Sequence, residues 1–278
     1  MNKIIMLLDL HIHTTASDGQ YTPSEIVSMA IEKKLSVIAI TDHDTVSGIA
    51  EGRAKAQELG IRFIPGVEIS TQEKEEIHIL GYGIDETSPE LNAMCREYAE
   101  SRETRAQRIC DFFQRRGILI DLEEIKEIAG PGIIARPHFA RFLQNHGYVC
   151  TRKEAFDQYL DTPEFHEETD RVKPTPEEAI HLIHQAGGRA VLAHPGFLRK
   201  CLPEMEPFIA QLKETGLDGI ECFYSKHTPR QAEDFLRFAK RYNLKISCGS
   251  DFHGEQVKPD VKLGMEIDKC YAEKLIQL

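Results

Sequence analysis

Seven short apolar runs are spread along the chain, and most of them end in a histidine or a carboxylate. The first, from Ile4 to Leu8, leads through Asp9 and Leu10 into His11 and His13, with Asp18 in the loop that follows ("DLHIHTTASDG"). A short apolar run bounded by turn signals reads as a strand buried on both faces. Strands of that kind need helices on their outer side, and helix-like stretches lie between most of the runs. The pattern therefore predicts an α/β fold built around a parallel sheet. Expected strands are Lys3 to Asp9, Ser36 to Thr41, Arg62 to Pro65, Glu76 to Tyr82, Arg189 to Ala193, Gly219 to Phe223 and Lys245 to Cys248. A helix is expected in "TPSEIVSMAIEKK", where Thr22 caps and Pro23 opens the first turn. Further helices are expected over Thr45 to Leu59, Thr175 to Ala186, Pro203 to Thr215 and Pro229 to Tyr242.

From Ser88 to Val172 the rhythm breaks: the stretch is long, rich in helical pattern and without a convincing buried strand. It reads as an inserted helical subdomain (88–172) within a barrel domain made of 1–87 and 173–278. Arg102, Arg105 and Arg108 recur three apart, close to one ridge of its first helix. Glu97, Glu100 and Glu103 interleave with them, so a solvated, salt-bridged face is expected.

In a parallel barrel, residues at the ends of strands share the C-terminal rim, where active sites form. His11 and His13 follow the first strand, Asp42, His43 and Asp44 ("TDHD") the second, and Glu68 ("PGVE") the third. His78 lies in the fourth ("EIHILGY"), His194 ends the fifth ("LAHPG"), and Asp251 with His253 ("GSDFHG") follows the last. The H-x-H and D-x-H spacings point both members of each pair to one side. So many imidazoles in a metal-free core would leave ring nitrogens without partners, at a cost in free energy. A multinuclear metal site of His11, His13, Asp18, His43, Glu68, His78, His194, Asp251 and His253 resolves this. At three or four protein ligands per ion, the set suits two or three ions bridged by Glu68. Nitrogen and oxygen donors without cysteine fit manganese, zinc or iron(II). Asp42 and Asp44 are expected to orient imidazoles from outside the set.

Thirty-four basic against 45 acidic residues leave a formal charge of -11, a surface that repels long polyanions. The seven cysteines are scattered and form no C-x-x-C pair, which suits free thiols in a reducing compartment. The apolar run near Met1 is shorter than the roughly 7–15 residues of a signal peptide core. No run approaches the roughly 20 residues of a membrane span, so a cytoplasmic protein is expected.

"DLHIHTTASDG", "AITDHDT", "PGVEIS", "IHILGY", "LAHPG" and "GSDFHG" together resemble, in order, the motifs of the PHP (polymerase and histidinol phosphatase) superfamily. The resemblance implies a distorted (β/α)7 barrel with a trinuclear site that cleaves phosphate esters. By motif, His11, His13, Glu68 and Asp251 would hold one ion, Glu68 with His78 and His194 a second, and Asp18, His43 and His253 a third. The insertion, with "IIARPHFAR", resembles the branch containing nucleoside 3',5'-bisphosphate phosphatases and 5'-3' exoribonucleases. In that branch Arg136, His138 and His227 would contact the substrate phosphate. The alternative for Arg136 is an inter-helix salt bridge, and for Tyr224 it is core packing.

The resulting expectation is a phosphoesterase acting on a small phosphorylated partner, such as the 3'-phosphate of a nucleoside 3',5'-bisphosphate. A hydroxide activated by the metal ions would attack, since coordination lowers the pKa of water from 15.7 towards about 7. His227 is one group that could protonate the leaving oxygen. Competing readings are cleavage of a cyclic phosphate diester, 5'-3' trimming of short RNA, and a non-catalytic metal-stabilised binding module. A cyclic-amide hydrolase would call for a bridging lysine, where this chain has Glu68. No G-x-x-x-x-G-K loop is present, which argues against nucleotide-triphosphate motor chemistry.

Overall fold

In the first strand, β1 (Ile5–Ile12), the last five residues are all buried, as expected of a strand with protein on both faces. The computed structural model describes residues 5–72, 76–130, 134–170, 173–271 and 274–275. Lys3, where the first strand was expected to begin, lies outside these residues. The other strands are β2 (Val37–Ile40), β3 (Arg62–Gln72), β4 (Glu76–Tyr82), β5 (Arg189–Leu192), β6 (Gly219–Tyr224), β7 (Lys245–Gly249) and β8 (Met265–Asp268). Among the described residues they form one sheet in the order β7-β6-β5-β4-β3-β2-β1-β8. Every expected strand is present, and β8, short and largely unburied, is the addition.

One expectation needs correcting. The sheet is mixed, because β4 runs antiparallel to both β3 and β5, and β8 runs antiparallel to β1. β3 and β4 form a hairpin, since the connection between them is too short for the dozen or more residues that a parallel crossover needs. This reversal decides where His78 lies. It sits near the beginning of β4, opposite Ser70 in β3, and so at the rim where the parallel strands end.

The sheet curls until it is nearly closed. Beyond β7 the chain rejoins the end of β1: the Asp251 N–H donates to the His11 carbonyl (2.9 Å) and the His13 N–H to the Phe252 carbonyl (2.9 Å). Asp9, fully buried, locks this seam. It accepts from the Ser250 N–H (2.9 Å), the Ser250 hydroxyl (2.5 Å) and the Gly264 N–H (2.8 Å). Gly249 lies against β1 so closely that a Cβ there would stand 2.1 Å from that of His11.

The outer helices of this part are α1 (Pro23–Glu32), α2 (Ile49–Leu59) and three later ones, which follow the insertion. The insertion holds α3 (Pro89–Gln114), α4 (Leu122–Ala129), α5 (Arg136–Asn145), α6 (Arg152–Ala155) and α7 (Pro163–Thr169). After it come α8 (Pro176–Gln185), α9 (Leu202–Glu214) and α10 (Pro229–Arg241). A Thr-Pro-x-Glu/Gln start recurs at α1, α8 and α10, and at each a threonine cap and a Glu or Gln side chain close a capping box. α2 begins later than expected, at Ile49, behind a turn.

The chain divides into two compact units, Met1–Cys95 with Lys173–Leu278, and Arg96–Val172. The second has an apolar core of its own, in which Phe112, Phe113, Phe139, Phe142 and Phe165 are buried. On α3 the expected solvated ladder is not what is found at Arg105. Its guanidinium donates to the Thr169 carbonyl (3.0 Å) and to Asp170 (3.1 Å), tying the helix to the end of α7. The side chains of Arg102 and Glu103 lie outside the described residues. Among the described residues no helix is long and apolar enough to cross a membrane.

Candidate metal centre

All nine side chains singled out in the sequence meet at one rim of the barrel. His11 and His13 come from the end of β1, Asp18 from the loop before α1, and His43 from just beyond β2. Glu68 stands in β3, His78 in β4, and His194, Asp251 and His253 follow β5 and β7. Glu68 is their centre, fully buried and facing imidazoles with both oxygens. Oε1 lies 3.0 Å from His78 Nδ1 and 3.0 Å from His194 Nε2. Oε2 lies 3.2 Å from His11 Nε2, 3.1 Å from His13 Nε2 and 3.2 Å from His43 Nδ1. Asp251 Oδ1 faces His13 (3.4 Å), His253 (3.3 Å) and His11 (3.7 Å). Asp18 closes the far side, 3.5 Å from His13 Nδ1 and 3.3 Å from His253 Nε2.

His78 and His194 hydrogen-bond Glu68, but much of the remaining proximity is not hydrogen bonding. His11 Nε2, both ring nitrogens of His13, His194 Nδ1 and Glu68 Oε2 are buried with no hydrogen-bond partner. A buried lone pair left unsatisfied costs about 1–3 kcal/mol, and here several converge. The donor set fits divalent cations that accept nitrogen and carboxylate oxygen. Among the described residues, four groups of atoms lie close enough together to hold one: His13, Asp18, His43 and His253; His11, His13 and Asp251; His11, Glu68 and His194; His43, Glu68 and His78. The first contains the set expected for the third ion, with His13 added. His78 and His194, expected to share an ion, fall into different groups but meet on the same oxygen of Glu68.

The electrostatics follow from this crowding. Burial alone would push Glu68 up, yet the charges of His11, His43 and His78 hold it well below the carboxylate range. Asp18 is likewise held down against burial by His43 and His253. Burial lowers His13, but the neighbouring carboxylates of Asp18 and Glu68 outweigh that and raise it to about 9. His43 goes the other way, to about 3, because burial outweighs its carboxylate neighbours.

A further ring of residues holds the nine in place, and sequence reasoning missed most of it. Glu221, fully buried in β6, accepts from His11 Nδ1 (3.0 Å) and from the His194 N–H (2.7 Å). Tyr224 donates its hydroxyl to Asp251 Oδ2 (2.8 Å), and Lys258 Nζ approaches the same oxygen at 2.6 Å. Tyr224 is therefore more than core packing. The signal for Asp9 and Glu221 was present: each is a carboxylate inside a run that is otherwise buried and apolar. His194 (φ 25°), Asp251 (φ 60°) and Asp44 (φ 52°) all adopt left-handed backbone, strain that clusters at functional sites.

The other residues singled out in the sequence make contacts of their own. Asp42 accepts from the Thr14 N–H (2.7 Å), the Thr14 hydroxyl (2.7 Å) and the Ser17 hydroxyl (2.5 Å). It thus shapes the loop carrying Asp18 instead of bonding a ring. Asp44 accepts the Ser70 N–H (2.7 Å) and pins β3. His227 has both nitrogens engaged by backbone: Nδ1 donates to the Cys222 carbonyl (3.2 Å) and Nε2 accepts from the Gly196 N–H (3.1 Å). Burial also lowers its pKa. Arg136 and His138 lie in the second unit, at the start of α5. Arg136 pairs with Asp161 (2.9 Å), and His138 Nδ1 accepts from the Ala135 N–H (2.9 Å). Both contacts are local, and that of Arg136 is the salt bridge weighed against substrate binding.

The PHP domain pattern matches residues 9–101, which include six of the nine converging side chains. Over 268 residues the chain is 38% identical to the 5'-3' exoribonuclease Rnm of Escherichia coli, covering 94% of this chain and 89% of that protein. The chain belongs to the PHP family. Other PHP relatives agree along most of its length. It is 35% identical to the 3',5'-nucleoside bisphosphate phosphatase of Chromobacterium violaceum, covering 88% of this chain and 87% of that protein. A crystal structure from Bifidobacterium adolescentis, described as a metal-dependent phosphoesterase, superposes with a TM-score of 0.80 at 27% identity, covering 98% of this chain and 97% of that one.

Proposed function

We propose that this protein is a metal-dependent phosphoesterase that hydrolyses a phosphomonoester of a small nucleotide, with the 3'-phosphate of a nucleoside 3',5'-bisphosphate as the leading substrate. The observation that carries this is Glu68, whose two oxygens are divided between two groups of imidazoles inside a ring of nine nitrogen and oxygen donors. In this reading the nine hold two or three divalent ions of manganese, zinc or iron(II). When bound, such ions neutralise phosphoryl oxygens and make water nucleophilic near neutral pH.

The chain's own residues supply orientation. Glu221 fixes the Nδ1–H of His11, so that Nε2 points inward with its lone pair. The Asp251 carbonyl does the same for His253, accepting from Nδ1 (2.9 Å) and leaving Nε2 towards Asp18. Tyr224 and Lys258 fix Asp251 Oδ2, so that Oδ1 faces the imidazoles. Lys258 also places a positive charge beside the rim, which favours an anionic substrate despite the acidic surface. An amide-hydrolase reading lacks its bridging lysine, since Glu68 occupies the centre and Lys258 stands outside Asp251.

The test is hydrolysis, with manganese supplied, of adenosine 3',5'-bisphosphate, adenosine 5'-monophosphate, a ribose cyclic phosphate and a short 5'-phosphorylated RNA, read as inorganic phosphate from the monoesters, ring-opened monoester from the cyclic phosphate and mononucleotides from the RNA. Preferential loss of the 3' group from the bisphosphate supports the proposal. Preference for the RNA transfers it to exonuclease action, as in the Escherichia coli relative. Bound metal with no hydrolysis of any of the four overturns it in favour of a binding module.

A further inference from the structure

Phe197 is an apolar side chain that the mechanism above does not use, and it stands at the metal rim. It is 55% exposed, while the rings it touches are largely covered. Its centroid lies 5.7 Å from that of His194 and 5.3 Å from that of Tyr224, the latter edge-on at 80°. His194 bonds Glu68, and Tyr224 bonds Asp251. A single exposed phenylalanine is ordinary on a protein surface, but this one is packed directly against two residues of the site.

The turn that carries it is held rigidly. The Phe197 N–H donates to the His194 carbonyl (3.0 Å), the Gly196 N–H to His227 Nε2 (3.1 Å), and Gln231 Nε2 to the Gly196 carbonyl (3.4 Å). Gly196 lies so close over the imidazole that a Cβ would meet His227 Cδ2 at 2.6 Å. His227 thus serves as the bed of this turn. A ring held in place beneath and open to solvent loses little entropy when a second ring lands on it.

We infer that Phe197 is a stacking platform for the planar base of the substrate, and therefore the residue that makes the site select nucleotides over bare sugar phosphates. This rests on the phosphoesterase reading above. A phosphate drawn in beside His194 leaves the attached nucleoside next to the open face of Phe197. Base-on-aromatic stacking tolerates any base, because every base has a π-face.

The chain contains no tryptophan, so F197W introduces a single fluorophore at the platform. Metal-loaded F197W is titrated with adenosine 5'-monophosphate, ribose 5-phosphate and phenyl phosphate. Saturable quenching by the nucleotide, absent with ribose 5-phosphate, supports the platform; quenching by phenyl phosphate as strong as by the nucleotide overturns selection of a base in particular. No quenching by the nucleotide overturns the platform outright. In parallel, kcat/KM is measured for adenosine 3',5'-bisphosphate and ribose 5-phosphate in wild type, F197A and F197Y. The ratio of the two should fall by about 5–100-fold in F197A, the range of a lost base stack, and recover in F197Y. An equal loss on both substrates refutes the inference. If wild type cleaves neither, the phosphoesterase reading fails on its own, and the fluorescence arm still decides whether Phe197 stacks on a nucleotide.

Discussion

Metal binding at this rim should release protons, and the structure says from which side chains. His13 is raised to about 9 by Asp18 and Glu68 against the opposing effect of burial. At pH 7 the metal-free ring is therefore about 99% protonated, two units below its pKa. A metal must displace that proton at a cost of about 2.7 kcal/mol, a weakening of about a hundredfold relative to the fully deprotonated ring. His11, where Glu68, Glu221 and Asp251 together outweigh the burial that lowers it, is also held well above its ordinary value and adds a second proton. His43, pushed down to about 3, adds none. Calorimetric titration of manganese into metal-free protein at pH 7, in two buffers of different ionisation enthalpy, should report about one to two protons released per protein. Apparent affinity should rise about ten- to a hundredfold per pH unit between pH 7 and 8. A heat independent of buffer would refute the reasoning. The same shift gives stability a sign. A folded-state pKa raised above 6.5 stabilises the metal-free protein fully below pH 6.5, and that contribution is lost as pH rises through 9. The loss amounts to about 3 kcal/mol from His13, so chelated protein should melt lower at pH 9 than at pH 6.5.

Two substitutions test the residues that hold the rim, and a further pair tests Arg136. Glu221→Gln keeps an acceptor for one neighbour but removes the charge that orients His11, and should weaken metal affinity about 10–100-fold by competition with a chelating dye; unchanged affinity would assign Glu221 to packing alone. Asp9→Ala strands the Ser250 and Gly264 N–H groups at the barrel seam, and should cost about 3 kcal/mol and lower Tm by roughly 5–10 °C, read by circular dichroism. An unshifted Tm would show that the seam does not depend on that carboxylate. If the Arg136–Asp161 pair is only structural, Arg136→Ala and Asp161→Ala should each cost no more than about 1 kcal/mol and leave kcat/KM alike. A loss of kcat/KM in Arg136→Ala alone would return the guanidinium to the substrate.

The strand ends were legible because period-two geometry and burial act locally. In "DLHIH" the alternate residues must face one way, and a buried strand gives an imidazole nowhere to go but towards other polar groups; Asp251, beyond β7 and at φ 60°, reaches the rim by a turn instead. The direction of β4 was not read, although the spacing contained it: the stretch between Pro65 and Glu76 is too short for a parallel crossover. His78 reaches the rim because of that reversal. The parallel arrangement assumed for its strand does not hold. His227 shows the opposite limit. Its sequence context marks it as a site residue, and it does lie beside the site, but whether its nitrogens face substrate or backbone depends on the approach of Gly196, from another loop.

Asp9 and Glu221 point to a more general reading of such chains. Each stands in a run whose neighbours are buried on both faces, so each had to find hydrogen-bond donors inside the protein or be excluded by the cost of burying charge. Asp9 found backbone N–H groups across the seam and is pushed up by burial to about 6. Glu221 found the ring of His11 and the backbone of His194. The converging imidazoles therefore require a second set of buried carboxylates that face away from the centre, because the geometry of a ligand is only as fixed as the group behind it. In a barrel whose strand ends carry histidines, an acidic residue within an apolar strand is thus assigned, by its place in the sequence alone, to holding the site.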